Sequence, residues 1–190
     1  NMPKDNIKRA IEKAAAGDGA DYMEIRYEGF GPGNVAVIVE ALTDNPKRTA
    51  PIVRSIFGKA GCVMGETGSV AFNFQRVGLI EYPAAVAEAD AMFEAALEAG
   101  ADDVESDEET HRILCAPDDL GAVREALEAK FDTPTVCRFD WKPLVEAELT
   151  DAEVAKKFFD FVETLNDEED IQRVASNVSV SDEIMAKLEG

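Results

Sequence analysis

The 190-residue sequence has no apolar run near the roughly 18–20 residues needed to span a bilayer, and no charged-then-apolar signal segment opens it. The expectation is a cytoplasmic protein with no membrane partner. Cysteine is scarce. Cys62, Cys115 and Cys137 are an odd number without CxxC spacing, which argues against a disulfide framework or a zinc site and for small buried thiols. There is one histidine, His111, in an expected strand between Thr110 and Arg112, with no nucleophile beside it. It is read as a surface or hydrogen-bonded structural residue. No serine elbow and no His/Cys cluster occurs, so the sequence offers no catalytic residue, metal or cofactor. The carboxylates are too many for any pair to stand out as an acid/base couple.

Positive charge is lacking in one half of the chain. Residues 1–82 hold ten Lys and Arg against ten Asp and Glu, whereas residues 83–170 hold seven against twenty-six, within a formal net charge of -20. A half so acidic repels phosphate backbones. Most of its carboxylates read as a solvated face. The one local reversal runs from Asn45 to Gly65, where Lys47, Arg48, Arg54 and Lys59 occur without a single acid. These four bases form the only basic island of any length and are the candidate contacts to a phosphate backbone, of nucleic acid or the ribosome, with a solvated helix face as the alternative.

The stretch "GFGPGN" stands between an alternating segment, "EIRYEGF", and an apolar run, "VAVIVEAL". Both flanks read as strands, with Ile25 and Tyr27 on one face and Glu24, Arg26 and Glu28 on the other. A phosphate-binding glycine loop must pass from a strand into a helix, whose N-terminal N–H groups hold the anion. Here it joins strand to strand, and no GK[ST] follows. Gly29, Gly31, Gly33 and Asn34 are expected to supply positive-φ turn geometry, stiffened by Pro32.

A helix capped by Thr49, with Pro51 in its first turn, and a strand alternating over "SVAFNFQ" complete a β-β-α-β unit. After "GLIEYP" the composition turns acidic and alanine-rich, and the pattern α-β-β-α-β follows over residues 83–144. "TDAE" (Thr150 to Glu153) reads as a capping box opening a helix, and "DIQRVASNV" as a last strand. The expected fold is α+β: two small ferredoxin-like α/β sandwich domains, one inserted in the other. The discontinuous domain takes residues 20–82 and 145–180, the acidic insertion 83–144, and a helical tail 181–190. "NMPKDNIKRAIEKA" reads as an amphipathic helix already in progress, so residues before Asn1 are expected to be missing.

The stretches "NMPKDNIKRAIEKA", "EIRYEGFGPGNVAVIVEALTDNPKRT" and "GSVAFNF", in this order and spacing, closely resemble the YebC family, which includes the mitochondrial translational activator of cytochrome c oxidase. Asn34 stands where that family often has a further glycine. The resemblance implies three domains, a basic N-terminal helical bundle followed by two α+β domains, one inserted in the other. Residues 1–19 would then be the last helix of that bundle and its linker, with the rest of the bundle absent. It further implies a non-enzymatic, DNA-binding transcriptional regulator, or a ribosome-associated translation factor that relieves stalling at consecutive prolines. The implied partners are DNA, or rRNA and tRNA on the ribosome, contacted mainly through the bundle. The alternative from the residues is a protein-interaction module that binds a basic partner, such as a ribosomal protein, through its acidic domain without touching nucleic acid.

Overall fold

The computed structural model describes residues 21–189. The helix expected over residues 1–19 lies outside the described residues. The chain divides into two compact units, one of Asn1–Phe74 with Pro143–Gly190, the other of Gln75–Lys142.

In the first unit, β1 (Met23–Gly31) pairs antiparallel with β2 (Val35–Thr43), which pairs antiparallel with β9 (Ile171–Ser176). A short β3 (Val63–Gly65) extends the other edge, giving the order β3-β1-β2-β9. β2 is the central strand. Its β-branched residues suit burial on both sides: Val35, Val37 and Val39 point into one core, and Ala36 and Ile38 are equally buried on the opposite face. The core under the odd-numbered positions is filled by α1 (Pro46–Lys59) and α4 (Ala152–Asp167), through Val53 and Phe57 from the first and Phe158, Phe161 and Leu165 from the second. β8 (Ala147–Leu149) pairs in parallel with β10 (Val178–Val180), and α5 (Asp182–Glu189) docks Ile184 into the same core.

The second unit runs β4 (Phe74–Pro83), α2 (Ala89–Ala99), β5 (Asp103–Ser106), β6 (Thr110–Cys115), α3 (Leu120–Phe131) and β7 (Val136–Pro143), in the sheet order β5-β6-β4-β7. This is the split βαβ arrangement of ferredoxin-like domains. Ile80, Tyr82, Ile113 and Cys115 on the sheet pack against Met92, Ala96, Val123 and Leu127 on the helices. His111 is buried there, with Nε2 2.7 Å from the Ala87 carbonyl and Nδ1 2.7 Å from the Ser106 hydroxyl. The carbonyl can only accept, so Nε2 carries a proton. Burial pushes the Cys115 thiol up to about 11, an inert thiol at neutral pH.

Several sequence expectations are corrected. The segment Ser69–Asn73 is not a strand. Val70 leads into a 3-10 turn, Ala71–Asn73, and β4 begins only at Phe74 and continues through "GLIEYP". The cause is Glu28. Read as an outward strand residue, it is fully buried, and its carboxylate accepts from the N–H groups of Gly68 at 2.7 Å, Val70 at 3.1 Å and Ala71 at 2.8 Å, and from Arg26 at 3.1 Å. Donors spent on a carboxylate cannot join a strand ladder, and the chain turns with Phe72 left 72% exposed. α1 starts at Pro46, not at Thr49, and Pro51 sits inside it. Asp151, not Thr150, caps α4, accepting from the Glu153 N–H at 2.8 Å.

The glycine turn divides into two physical cases. Gly33 and Asn34 have φ of 78° and 62°, in the left-handed region, and Pro32 opens the same 3-10 turn. Gly29 and Gly31 are strand residues whose missing side chains admit aromatic rings. A Cβ would lie 2.8 Å from Phe57 at the first and 2.9 Å from Phe161 at the second. Those two rings meet edge to face with centroids 4.9 Å apart.

Gly33→Val places a β-branched residue at positive φ against Leu149 and Val154. Urea unfolding is expected to show a loss of about 1–3 kcal/mol from strain, with overpacking adding to it.

Burial raises the Glu28 carboxyl, but its three backbone N–H bonds and Arg26 outweigh that and hold it below the ordinary value of 4.5. Its stabilising contribution is therefore complete above about pH 4.5 and lost as pH falls through the depressed folded value. The stability gap between wild type and Glu28→Gln, read by urea titration, is expected to be widest near neutral pH and to narrow in acid.

Candidate nucleic-acid interface

The four bases of the island all lie on α1, and all are exposed. The helix does not present them as one stripe. At about 100° per residue, Lys47 and Arg54, seven apart, stand roughly 20° from each other on one exposed flank of the helix. Arg48 and Lys59 fall roughly 100–120° round the helix from Lys47. Lys59 shares a groove with Ile52, Ile56 and Ser55 of α1, Thr164 and Asp167 of α4 and Glu168 just beyond it, and with Lys157 and Asp160 farther along. Carboxylates of α4 thus face that flank and offset its charge.

Arg48 has a partner within the fold. Its Nη2 lies 3.0 Å from each oxygen of Asp170 and 3.1 Å from Asp44, and these carboxylates raise its pKa further. Asp170 is held at the start of β9 with its side chain only 4% exposed, while Arg48 remains 48% exposed. The Thr49 hydroxyl is 2.8 Å from Asp170 Oδ2 and 2.8 Å from the Thr43 hydroxyl, and the Leu42 N–H donates to the Asp170 carbonyl at 2.8 Å. Thr49, expected as a helix cap, is instead a buried link in this network. Arg54 approaches the other side of α1: the Tyr27 phenol is raised by burial and by Asp170, and pulled back by Arg54.

The island therefore divides by environment. Lys47 and Arg54 share one exposed flank, Lys59 stands at a groove that carboxylates help to line, and Arg48 braces the fold. The sequence reading missed Asp170, which sits in the run "NDEED" and looks there like one more solvated acid. Among the described residues no group of three or more His, Cys, Asp or Glu could hold a metal ion, and no helix is long and apolar enough to cross a membrane.

The model of the TACO1/YebC second and third domain matches residues 22–178, and the chain belongs to the TACO1/YebC family of transcriptional-regulator-like proteins. It is also similar to a crystal structure of a conserved hypothetical protein, Aq1575, from Aquifex aeolicus, at 39% identity and a TM-score of 0.83, over 97% of this chain and 76% of that one.

Asp170→Ala removes the carboxylate to which both Arg48 and Thr49 donate. It is expected to lower stability by about 2–3 kcal/mol in chemical denaturation, while Lys47→Ala stays within about 0.5 kcal/mol of wild type.

Proposed function

We propose that this chain is a non-enzymatic gene-expression regulator that docks on a phosphate backbone, of DNA or of rRNA and tRNA on the ribosome, through the outward face of α1. Within that role it acts as a ribosome-associated translation factor that relieves stalling at proline runs. One observation carries the reading: Lys47 and Arg54 share an exposed flank of a helix whose own segment, Asn45 to Gly65, contains no acid in a chain of net charge -20. On so negative a molecule, a flank whose own segment is basic is where a polyanion meets least repulsion. Family membership and the resemblance of the "LTDNPKRT" stretch support the same assignment. Lys59 adds to the footprint once the partner's phosphates compete with Asp160 and Asp167.

The test is co-sedimentation of the protein with ribosomes or RNA at two salt concentrations. Lys47→Ala and Arg54→Ala are each expected to weaken binding uniformly across sequences and to flatten the salt slope by roughly one unit, as loss of one phosphate contact does. Ribosomes are expected to accumulate at proline runs in cells whose only copy is the double variant. Binding equal to wild type at both salts would remove α1 from the interface.

A further inference from the structure

The second unit carries an apolar flank that its core does not use. On α2, Met92, Ala95 and Ala96 are buried, but Phe93 and Leu97, one turn apart, are 45% and 46% exposed. The opposite side of this helix is taken. Glu98 reaches Lys130 of α3 at 3.1 Å, and it lies roughly 100–140° round the helix from the Phe93–Leu97 line. That line therefore faces away from α3. Asp90 and Glu94 run beside it, both exposed and making no ion pair among the described residues. The unit they belong to, Gln75–Lys142, holds seventeen acids and six bases.

An apolar pair with an acidic margin sets narrow terms for whatever covers it. A nucleic-acid backbone is repelled by the margin and gains nothing from Phe93 and Leu97. A second copy of the chain, docking by the same face, would bring like charges together on molecules of net charge -20. We propose that the Phe93–Leu97 flank docks a Lys/Arg-rich amphipathic segment of another protein. Apolar side chains of that segment cover Phe93 and Leu97, and its cations meet Asp90 and Glu94. The apolar pair supplies most of the affinity and the carboxylates set register and association rate. This surface lies in the other unit and does not depend on what α1 binds.

The test uses the whole chain and a fluorescent amphipathic helical peptide with Leu on one stripe and Lys elsewhere, followed by anisotropy. The F93S/L97S variant is expected to bind it about tenfold more weakly, the loss of two anchors at an interface. D90K/E94K is expected to weaken binding and flatten its salt dependence. D118K/E125K, which changes the charge of the same unit equally at other exposed positions, is expected to stay within about twofold of wild type. A Lys-only peptide is expected not to distinguish F93S/L97S from wild type. The proposal is overturned if F93S/L97S binds the Leu/Lys peptide as wild type does, or if D118K/E125K weakens it as much as D90K/E94K. It is also overturned if sedimentation velocity shows a dimer that F93S/L97S dissolves, which would make the occupant a second copy. Should F93S/L97S fail to fold, the comparison of the two charge-reversal pairs decides.

Discussion

The first unit depends on the pairing of β9 with β2. Without β9, the central strand would carry an open edge along Val37–Ala41, and the apolar face of α4 would have to find the sheet unguided. The two chain segments that meet here flank an entire folded unit, Gln75–Lys142. Loop-closure entropy grows only as the logarithm of loop length, so an insertion of this size is tolerable if the closing contact is strong. Asp170 and Asn177 seal that contact at its two ends. The first gathers Arg48 and Thr49 at the end of β2, and the second takes the Ala36 N–H at 2.9 Å and donates to the Val145 carbonyl at 3.0 Å. Buried polar groups of this kind specify one register, because a shift of one residue would leave each without a partner.

The same constraint divides the basic island. A guanidinium that offsets a buried carboxylate is not available to a ligand at no cost, because withdrawing it leaves Asp170 charged and poorly solvated. Arg48 is thereby committed to the fold. Charge left over for function is that of Lys47 and Arg54, with Lys59 under the influence of α4. The second unit, with seventeen acids to six bases, has a simpler construction, a split βαβ sheet whose helices bury one face. The bases of α1 and the acidic margin of α2 are thus local patches of opposite sign, suited to partners of different chemistry.

The fold was legible wherever periodicity was strong. The spacing of Phe158, Phe161 and Leu165, the alternation in "EIRYEGF" and the β-branched run of β2 each state their element directly. What was hidden lay in single charged residues doing buried work. Glu28 alternates correctly for a solvent face, and nothing local says that three backbone N–H groups will converge on it. "SVAFNF" consequently passed for a strand. Asp170 was concealed by its acidic neighbours, and the short β3, β8 and β10 carry too few residues for any period. The glycines were visible as special, but only the three-dimensional neighbours separate the turn residue Gly33 from Gly29 and Gly31, which make room for Phe57 and Phe161. The four bases were legible as a cluster, whereas their division into brace and docking face required the position of Asp170.

The central claim is that α1 meets phosphate with Lys47 and Arg54 while Arg48 holds the fold. It is tested most directly by placing a photo-crosslinking residue at position 47, 51, 54 or 125 in turn and irradiating the protein bound to ribosomes or RNA. The account predicts nucleic-acid crosslinks from positions 47, 51 and 54, all exposed on α1, and none from position 125 on the acidic unit. Crosslinks confined to position 125, or absent from all three positions on α1 while the protein remains bound, would contradict it.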